Sequence, residues 1–292
     1  MRMAEPQKKV VLVTGASSGI GRACAELLAA HGYRVYGASR RPVTSPPAEA
    51  PIKGAGQAEA PIKGAGQVEP IVMDVRDDAS VRDAVTQVIA REGRIDMVVN
   101  NAGIAIAGAV EDTAIEEARG QFDVNFFGVL RVCRAVLPFL REQRAGYIVN
   151  ISSIAGLVAV PYQGLYSASK FALEGLSESL RLEVSRFGVH VVLIEPGDYR
   201  TGLTANRRKT AASESNPVYA VRFYRAVERM AADEQNGPEP DAVARLLLRI
   251  VTNPRPRLRY TTGPMSERAA IWLKRLMPYS LVEKVMDSWY FR

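Results

Sequence analysis

Seven short runs rich in Val and Ile recur along the chain, at Val10–Thr14, Arg34–Ser39, Glu69–Asp74, Ile95–Asn100, Tyr147–Ser152, His190–Glu195 and Arg257–Thr262. Their apolar character is nearly continuous rather than alternating, which marks strands covered on both faces. Between them lie segments of helical period: Arg22–Ala30, closed by Gly32, then Ala79–Arg91, Phe126–Arg141, Ala168–Phe187 and Pro240–Thr252. Strands alternating with helices restrict the chain to a parallel sheet with right-handed crossovers, the doubly wound α/β arrangement. Ligands of such folds bind beyond the carboxyl ends of the strands.

One segment breaks the rhythm. EAPIKGAGQ occurs at 49–57 and again, unchanged, at 59–67, where a crossover helix between the second and third strands is expected. Pro51, Pro61 and four glycines oppose a long helix. Two copies also fall short of the ~3 that a stacking repeat needs. Residues 42–68 therefore read as a flexible surface insertion, the alternative being a flap whose Lys53 or Lys63 reaches a ligand.

The length of 292 residues, with 47% hydrophobic residues, suits one sizeable core, so a single domain over 1–292 is expected. The net charge of +7 is dispersed rather than gathered into a stripe, which argues against nucleic-acid binding. Cys24 and Cys133, the two cysteines, both fall in helical patterns and offer neither a disulfide framework nor a metal cluster. The N-terminus, MRMAEPQKKV, enters the first strand directly, and no apolar run reaches ~18 residues. A soluble, cytoplasmic protein is the expectation.

After the first strand comes Thr14-Gly15-Ala16-Ser17-Ser18-Gly19-Ile20-Gly21, opening a helix. Gly15, Gly19 and Gly21 permit a tight turn and close backbone approach, and the helix start offers unpaired N–H groups to a pyrophosphate, with Ser17, Ser18 and Ile20 alongside. This is the dinucleotide turn of a Rossmann-type fold, spaced G-x-x-x-G-x-G. The second strand ends in Ser39-Arg40-Arg41. An acidic residue there would take the adenosine 2′-hydroxyl of NAD. Arg40 or Arg41 instead can fork two N–H groups onto a 2′-phosphate, so NADP(H) is the expected cofactor.

The chain resembles a short-chain dehydrogenase/reductase of the non-extended branch over nearly its whole length. TGASSGIG at 14–21, Asp74-Val75, NNAG at 100–103, Asn125, Ser153, Tyr166-Ser167-Ala168-Ser169-Lys170, and Pro196-Gly197 followed by Thr201 occur in that family's order. The resemblance implies that Asp74 and Val75 hold the adenine, that Asn101, Ala102 and Gly103 line the cofactor, and that Pro196, Gly197 and Thr201 hold the nicotinamide amide. It also implies that Lys170 bonds the nicotinamide ribose and that Asn125 holds a proton-relaying water. GASRRP, PGDYRT and the basic, apolar C-terminus are similar to the hydroxysteroid and retinol dehydrogenase-like group. A homodimer or homotetramer is expected.

Tyr166 and Lys170 stand at i and i+4 of a helical stretch, so they share a face. A free tyrosine is a poor base near neutrality, and an adjacent ammonium is expected to lower its pKa. Ser153, at a strand end, can bond a substrate oxygen as developing alkoxide charge appears there. It is an orienter rather than a nucleophile, because neither His31 nor His190 is placed to activate it. The implied reaction is hydride transfer between a nicotinamide and a carbonyl or secondary alcohol, with Tyr166 handling the proton and no metal involved.

The stretch from about 199 to 237 is the expected substrate lid, with Tyr162, Tyr199, Leu203, Tyr219 and Phe223 as pocket candidates. Met265–Arg292 reads first as packing on that lid or on a partner subunit, and second as peripheral membrane contact. A bulky, apolar small-molecule carbonyl or alcohol is the leading substrate class. The alternatives are a fatty-acid or polyketide ketoreductase, and a non-catalytic NADP-sensing regulator.

Overall fold

The computed structural model describes residues 8–41, 66–202 and 207–291. All seven expected strands pair in parallel: β1 (Val10–Thr14), β2 (Arg34–Ser39), β3 (Val68–Val72), β4 (Met97–Asn100), β6 (Gly146–Ile151), β7 (Val189–Pro196) and β9 (Arg259–Thr262). They form one sheet in the order β3-β2-β1-β4-β6-β7-β9, and two further short strands, β5 (Ile106–Ala107) and β8 (Arg208–Lys209), make a separate parallel pair. The order reverses at β1, so the chain leaves β1 toward β2 and returns to β4 on its other side. The switch opens a crevice between the ends of β1 and β4.

The pleat explains the continuous apolar runs. Val10 and Leu12 pack with Tyr36, Val98, Ile148 and Leu193 on one face, under α2 (Asp78–Glu92), α4 (Gly128–Gln143) and α5 (Gly164–Val184). Val11 and Val13 pack with Val35, Val99, Val149 and Ile194 on the other, under α1 (Gly19–Ala30) and α7 (Asp241–Val251). Residues of the central strands are thus buried whichever way they point, while the edge strands β3 and β9 are partly exposed. Each such side chain contributes roughly 1.5–3 kcal/mol relative to remaining in water. Asp77 starts α2 by accepting from the amides of Ala79 and Ser80, and Gly93 ends it in a left-handed conformation (φ 72°).

Element boundaries differ from the sequence reading in places that bear on the cleft. β3 ends at Val72, two residues early, which frees Asp74 to turn away from the sheet edge. The helix expected from Phe126 is preceded by a π turn, Asp123–Phe127, that holds Asn125. Helix α5 begins at Gly164 rather than Ala168, so Tyr166 stands in its first turn. Helix α3 (Ile115–Phe122) was not expected, because IEEARGQF carries too few apolar residues for a clear period. The expected lid contains β8 and α6 (Pro217–Asn236), and the C-terminal stretch forms α8 (Met265–Leu276) and α9 (Tyr279–Phe291). The duplicated insertion lies outside the described residues apart from Gly66 and Gln67.

Two buried polar networks fix α5 to the sheet. Asn100 donates to Asn150 at 2.8 Å, and Asn150 donates to the Ser177 hydroxyl at 2.8 Å. From β9, Arg259 reaches Glu174 of α5 at 2.9 Å, Glu195 of β7 at 3.3 Å, and Glu178. Burial pushes the carboxyls of Glu174 and Glu195 above the usual carboxylate range, so they depend on that guanidinium when ionised. Arg259→Met should lower unfolding stability by about 3–5 kcal/mol at alkaline pH, the cost of stranding buried carboxylates. The loss should shrink in acid, where those carboxyls are neutral. Denaturant melts across the pH range test this, and an equal loss at every pH would rule the mechanism out.

Candidate active site

A cleft of about 640 Å3 runs along the carboxyl ends of the strands. At its centre the β1 turn is held against the segment after β4. The Thr14 hydroxyl accepts the amides of Asn101 and Ala102, both at 3.0 Å, while Asn101 Nδ2 donates back to the carbonyls of Thr14 at 3.0 Å and Gly15 at 3.2 Å. This approach excludes side chains. A Cβ on Gly21 would lie 2.3 Å from Asn101 Nδ2 and 2.4 Å from the Gly15 carbonyl oxygen, and Gly15 has φ +65°. Ser18 precedes α1 in extended conformation without a side-chain cap. The helix start therefore offers unpaired amides to an anion, and the turn fits the pyrophosphate of a dinucleotide.

The adenosine end is lined by Ser39, Arg40, Asp74, Val75 and Arg76. Arg40 is exposed on this wall, and Arg41 lies outside it with its carbonyl accepting from Ser39. Sequence reasoning missed Arg76. Its guanidinium forks onto Asp74, with Nη2 2.6 Å from Oδ2 and Nε 3.0 Å from Oδ1, and this contact holds the Asp74 carboxyl below its usual range. The D-x-R spacing was the signal that could have found it. Arg40 and Arg76 thus stand on this wall, where Arg40 and Arg41 were expected.

At the other end the first turn of α5 faces the loop after β6. Ser153 starts a 3-10 turn, Ile154–Gly156, and its hydroxyl accepts the Ala155 amide at 3.1 Å while bonding the Tyr166 phenol. Lys170 Nζ sits 5.8 Å from the centre of the Tyr166 ring and donates to the Ile151 carbonyl at 2.9 Å. The expected lowering of the Tyr166 pKa is not found. Burial pushes the phenol up to about 12, against the Ser153 hydrogen bond, and burial likewise pulls the Lys170 ammonium down to about 8. For the phenol, desolvation by burial is the largest effect. A neutral Tyr166 at physiological pH is ready to give a proton.

Asn125 lies under the cleft wall rather than on it. Its Oδ1 accepts the Ile104 amide at 2.9 Å, and its Nδ2 donates to the Ile104 carbonyl at 3.0 Å and to the Ser169 hydroxyl at 3.1 Å. The side chain is thus committed to bracing the segment after NNAG against α5. Arg131 steadies the π turn by reaching the Asp123 carbonyl at 3.3 Å and its carboxylate at 2.7 Å. Gly21 also lies behind the wall, while Gly15, Ser17, Ser18, Gly19, Ile20, Asn101, Ala102, Gly103, Pro196, Gly197 and Thr201 line it.

The substrate end mixes apolar and acidic groups. Val160, Tyr199, Met230 and Tyr290 line it together with Asp198, Glu234 and Glu267. Arg207 neutralises Glu234 in a buried pair. Glu267, in the first turn of α8, accepts the Asp198 amide at 3.0 Å. Of the aromatic pocket candidates, Tyr199 lines the cleft, and Phe223 is core with its ring 5.5 Å from that of Tyr162. Tyr162 and Tyr219 line a separate shallow recess, and Leu203 lies outside the described residues. No group of three or more His, Cys, Asp or Glu poised to hold a metal occurs among the described residues.

Comparison with known proteins agrees with this geometry. Residues 9–212 match the family model described as short chain dehydrogenase. The chain is 39% identical over 284 residues to a 3-ketodihydrosphingosine reductase of Bacteroides thetaiotaomicron, covering 97% of this chain and 98% of that one. It is 33% identical to retinol dehydrogenase 8 of Bos taurus over 87% of this chain and 81% of that one. A short-chain dehydrogenase from Streptomyces avermitilis, 33% identical, superposes with a TM-score of 0.75 over 96% of this chain and 97% of its own.

Burial and mutual repulsion push the Asp198 carboxyl up to about 8, and burial raises that of Glu267. In the unfolded chain both ionise near pH 4. The folded state therefore holds protons that the unfolded state releases, and this stabilisation is full below about pH 4 and lost as pH rises through about 8. Asp198→Asn should flatten the fall of the unfolding midpoint between about pH 5 and 8. A slope identical to that of the unsubstituted protein would show that the pair does not share its charge.

Proposed function

The chain belongs to the short chain dehydrogenase family, and we propose that within it the protein is an NADP(H)-dependent carbonyl reductase for a bulky, largely apolar ketone. The observation that carries this reading is the Ser153–Tyr166–Lys170 group at one end of a cleft whose other end presents Arg40 and Arg76. The family uses nicotinamide cofactors. When bound, such a cofactor supplies or accepts the hydride. Gly15, Gly19 and the amides at the start of α1 would hold its pyrophosphate, and Arg40 its 2′-phosphate.

The chain's own residues manage the proton and the oxygen. Ser153 donates a hydrogen bond to the substrate carbonyl, orienting it and stabilising negative charge as the carbon accepts hydride. Tyr166, neutral at physiological pH, gives its proton to that oxygen, so that one hydride and one proton make the alcohol. Lys170, held by the Ile151 carbonyl, stands beside the phenolate left behind and stabilises that anion until a proton returns from solvent; it would also be the residue that bonds the cofactor's ribose. In the oxidative direction the same phenolate would take the proton.

The name of the Bacteroides thetaiotaomicron relative supports a ketone on a sphingoid chain as the substrate class. Such a molecule is aliphatic along most of its length and carries an amine beside the carbonyl. Val160, Tyr199, Met230 and Tyr290 suit the aliphatic part, and Asp198 and Glu267 suit the amine, whose positive charge would draw their raised carboxyls back toward the ionised form.

Tyr166→Phe should reduce kcat by at least about 100-fold with NADPH binding unchanged by fluorescence titration, as loss of a general acid predicts. Residual turnover within tenfold would remove Tyr166 from that role. Arg40→Asp should raise the KM for NADPH roughly 10- to 150-fold, the equivalent of one or two charge-assisted hydrogen bonds, with less effect on NADH. An unaltered preference would pass the phosphate to Arg76.

A further inference from the structure

Among the described residues, the densest exposed apolar surface is the corner between α8 and α9. Trp272 (65% exposed), Leu273, Leu276 (81%), Tyr279 (66%) and Leu281 fall within ten consecutive residues, with Val285 a turn further along α9. Single exposed apolar residues are ordinary, but a contiguous group is not. The charges around it are predominantly basic, Glu283, two residues after Leu281, being an acidic exception beside Lys284. Residues 268–282 contain no Asp or Glu, while Arg268, Lys274 and Arg275 all fall there. The Arg275 guanidinium lies 5.6 Å from the centre of the Trp272 ring, so the aromatic and cationic groups present one surface.

The corner is joined to the cleft at three points. Glu267, in the first turn of α8, caps the Asp198 amide. Lys274 Nζ donates to the Leu157 carbonyl at 2.5 Å, in the segment just after the Ser153 turn. Tyr290 of α9 lines the cleft wall. No helix among the described residues is long and apolar enough to cross a membrane.

We propose that the α8–α9 corner is a peripheral docking surface for anionic lipid membranes, from which an amphiphilic ketone passes into the cleft. Charge selects this occupant. A basic collar around aromatic and aliphatic residues suits insertion at a headgroup boundary of negative sign. A second copy of this chain docking through a two-fold axis would instead set Arg268 and Arg275 against themselves. The delivery half of the proposal rests on the bulky-ketone reading of the cleft, and the docking half does not.

The test is co-sedimentation with phosphatidylcholine vesicles made with and without phosphatidylserine. Binding should be at least about tenfold tighter with phosphatidylserine and should weaken with salt, as expected for several basic side chains near a charged surface. Leu276→Asp combined with Tyr279→Asp should abolish it, and Arg268→Glu combined with Arg275→Glu should reverse the lipid preference. Turnover of a water-soluble ketone should stay unchanged in both, which also verifies folding. Equal binding to the two vesicle types would overturn docking. So would a dimer, seen by light scattering, that Leu276→Asp dissociates while no form binds vesicles. Vesicle binding without turnover of any ketone would sink the functional reading alone.

Discussion

The cleft exists because two backbone segments approach more closely than side chains allow. Thr14 and Gly15 exchange four hydrogen bonds with Asn101 and Ala102 across the β1–β4 switch, and Gly21 packs into the same contact without a Cβ. Those bonds consume polar groups that the strand ends would otherwise leave unsatisfied. They set the distance between the dinucleotide turn and the NNAG segment, and thereby the depth at which a cofactor can lie. From NNAG the constraint passes through Ile104 to Asn125, then through Ser169 to the first turn of α5. The register of Tyr166 relative to the glycine turn is thus fixed by a chain of short polar contacts rather than by the apolar core, which tolerates small shifts more readily.

Burial and charge compete at the reacting end, and burial dominates. Tyr166 and Lys170 share a helix face, yet the phenol is harder to ionise than in water and the ammonium easier to deprotonate. The two shifts bring the groups toward a shared neutral state. Asn125 contributes by position, holding α5 against the segment after NNAG.

Much of the architecture was legible in the chain. Seven Val- and Ile-rich runs became seven parallel strands, because strands buried on both faces leave no alternation to misread. Tyr166 lies thirteen positions after Ser153 in sequence, and the order of motifs brought them to one end of the cleft. What stayed hidden depends on side-chain geometry or on desolvation. Arg76 forks onto Asp74 through a loop conformation that follows from the early end of β3. The upward shift of Tyr166 needs the surrounding protein, which spacing alone does not describe. Phe223 looked like a pocket residue because composition does not reveal which face of α6 is turned inward. The acidic wall was invisible for a different reason: Asp198, Glu234 and Glu267 come from three segments widely separated in sequence.

That wall has a consequence for how the protein can change. The groups facing a dinucleotide come from residues up to Thr201, whereas much of the wall facing a substrate comes from residues 198–290. The two halves meet at the short stretch after Pro196, where the Glu267 carboxyl caps the Asp198 amide. On the proposed reading, cofactor choice and substrate choice are therefore encoded in nearly separate parts of the chain. Recombination downstream of Thr201 could exchange one specificity while leaving the other intact, provided the incoming segment brings a carboxyl to that amide.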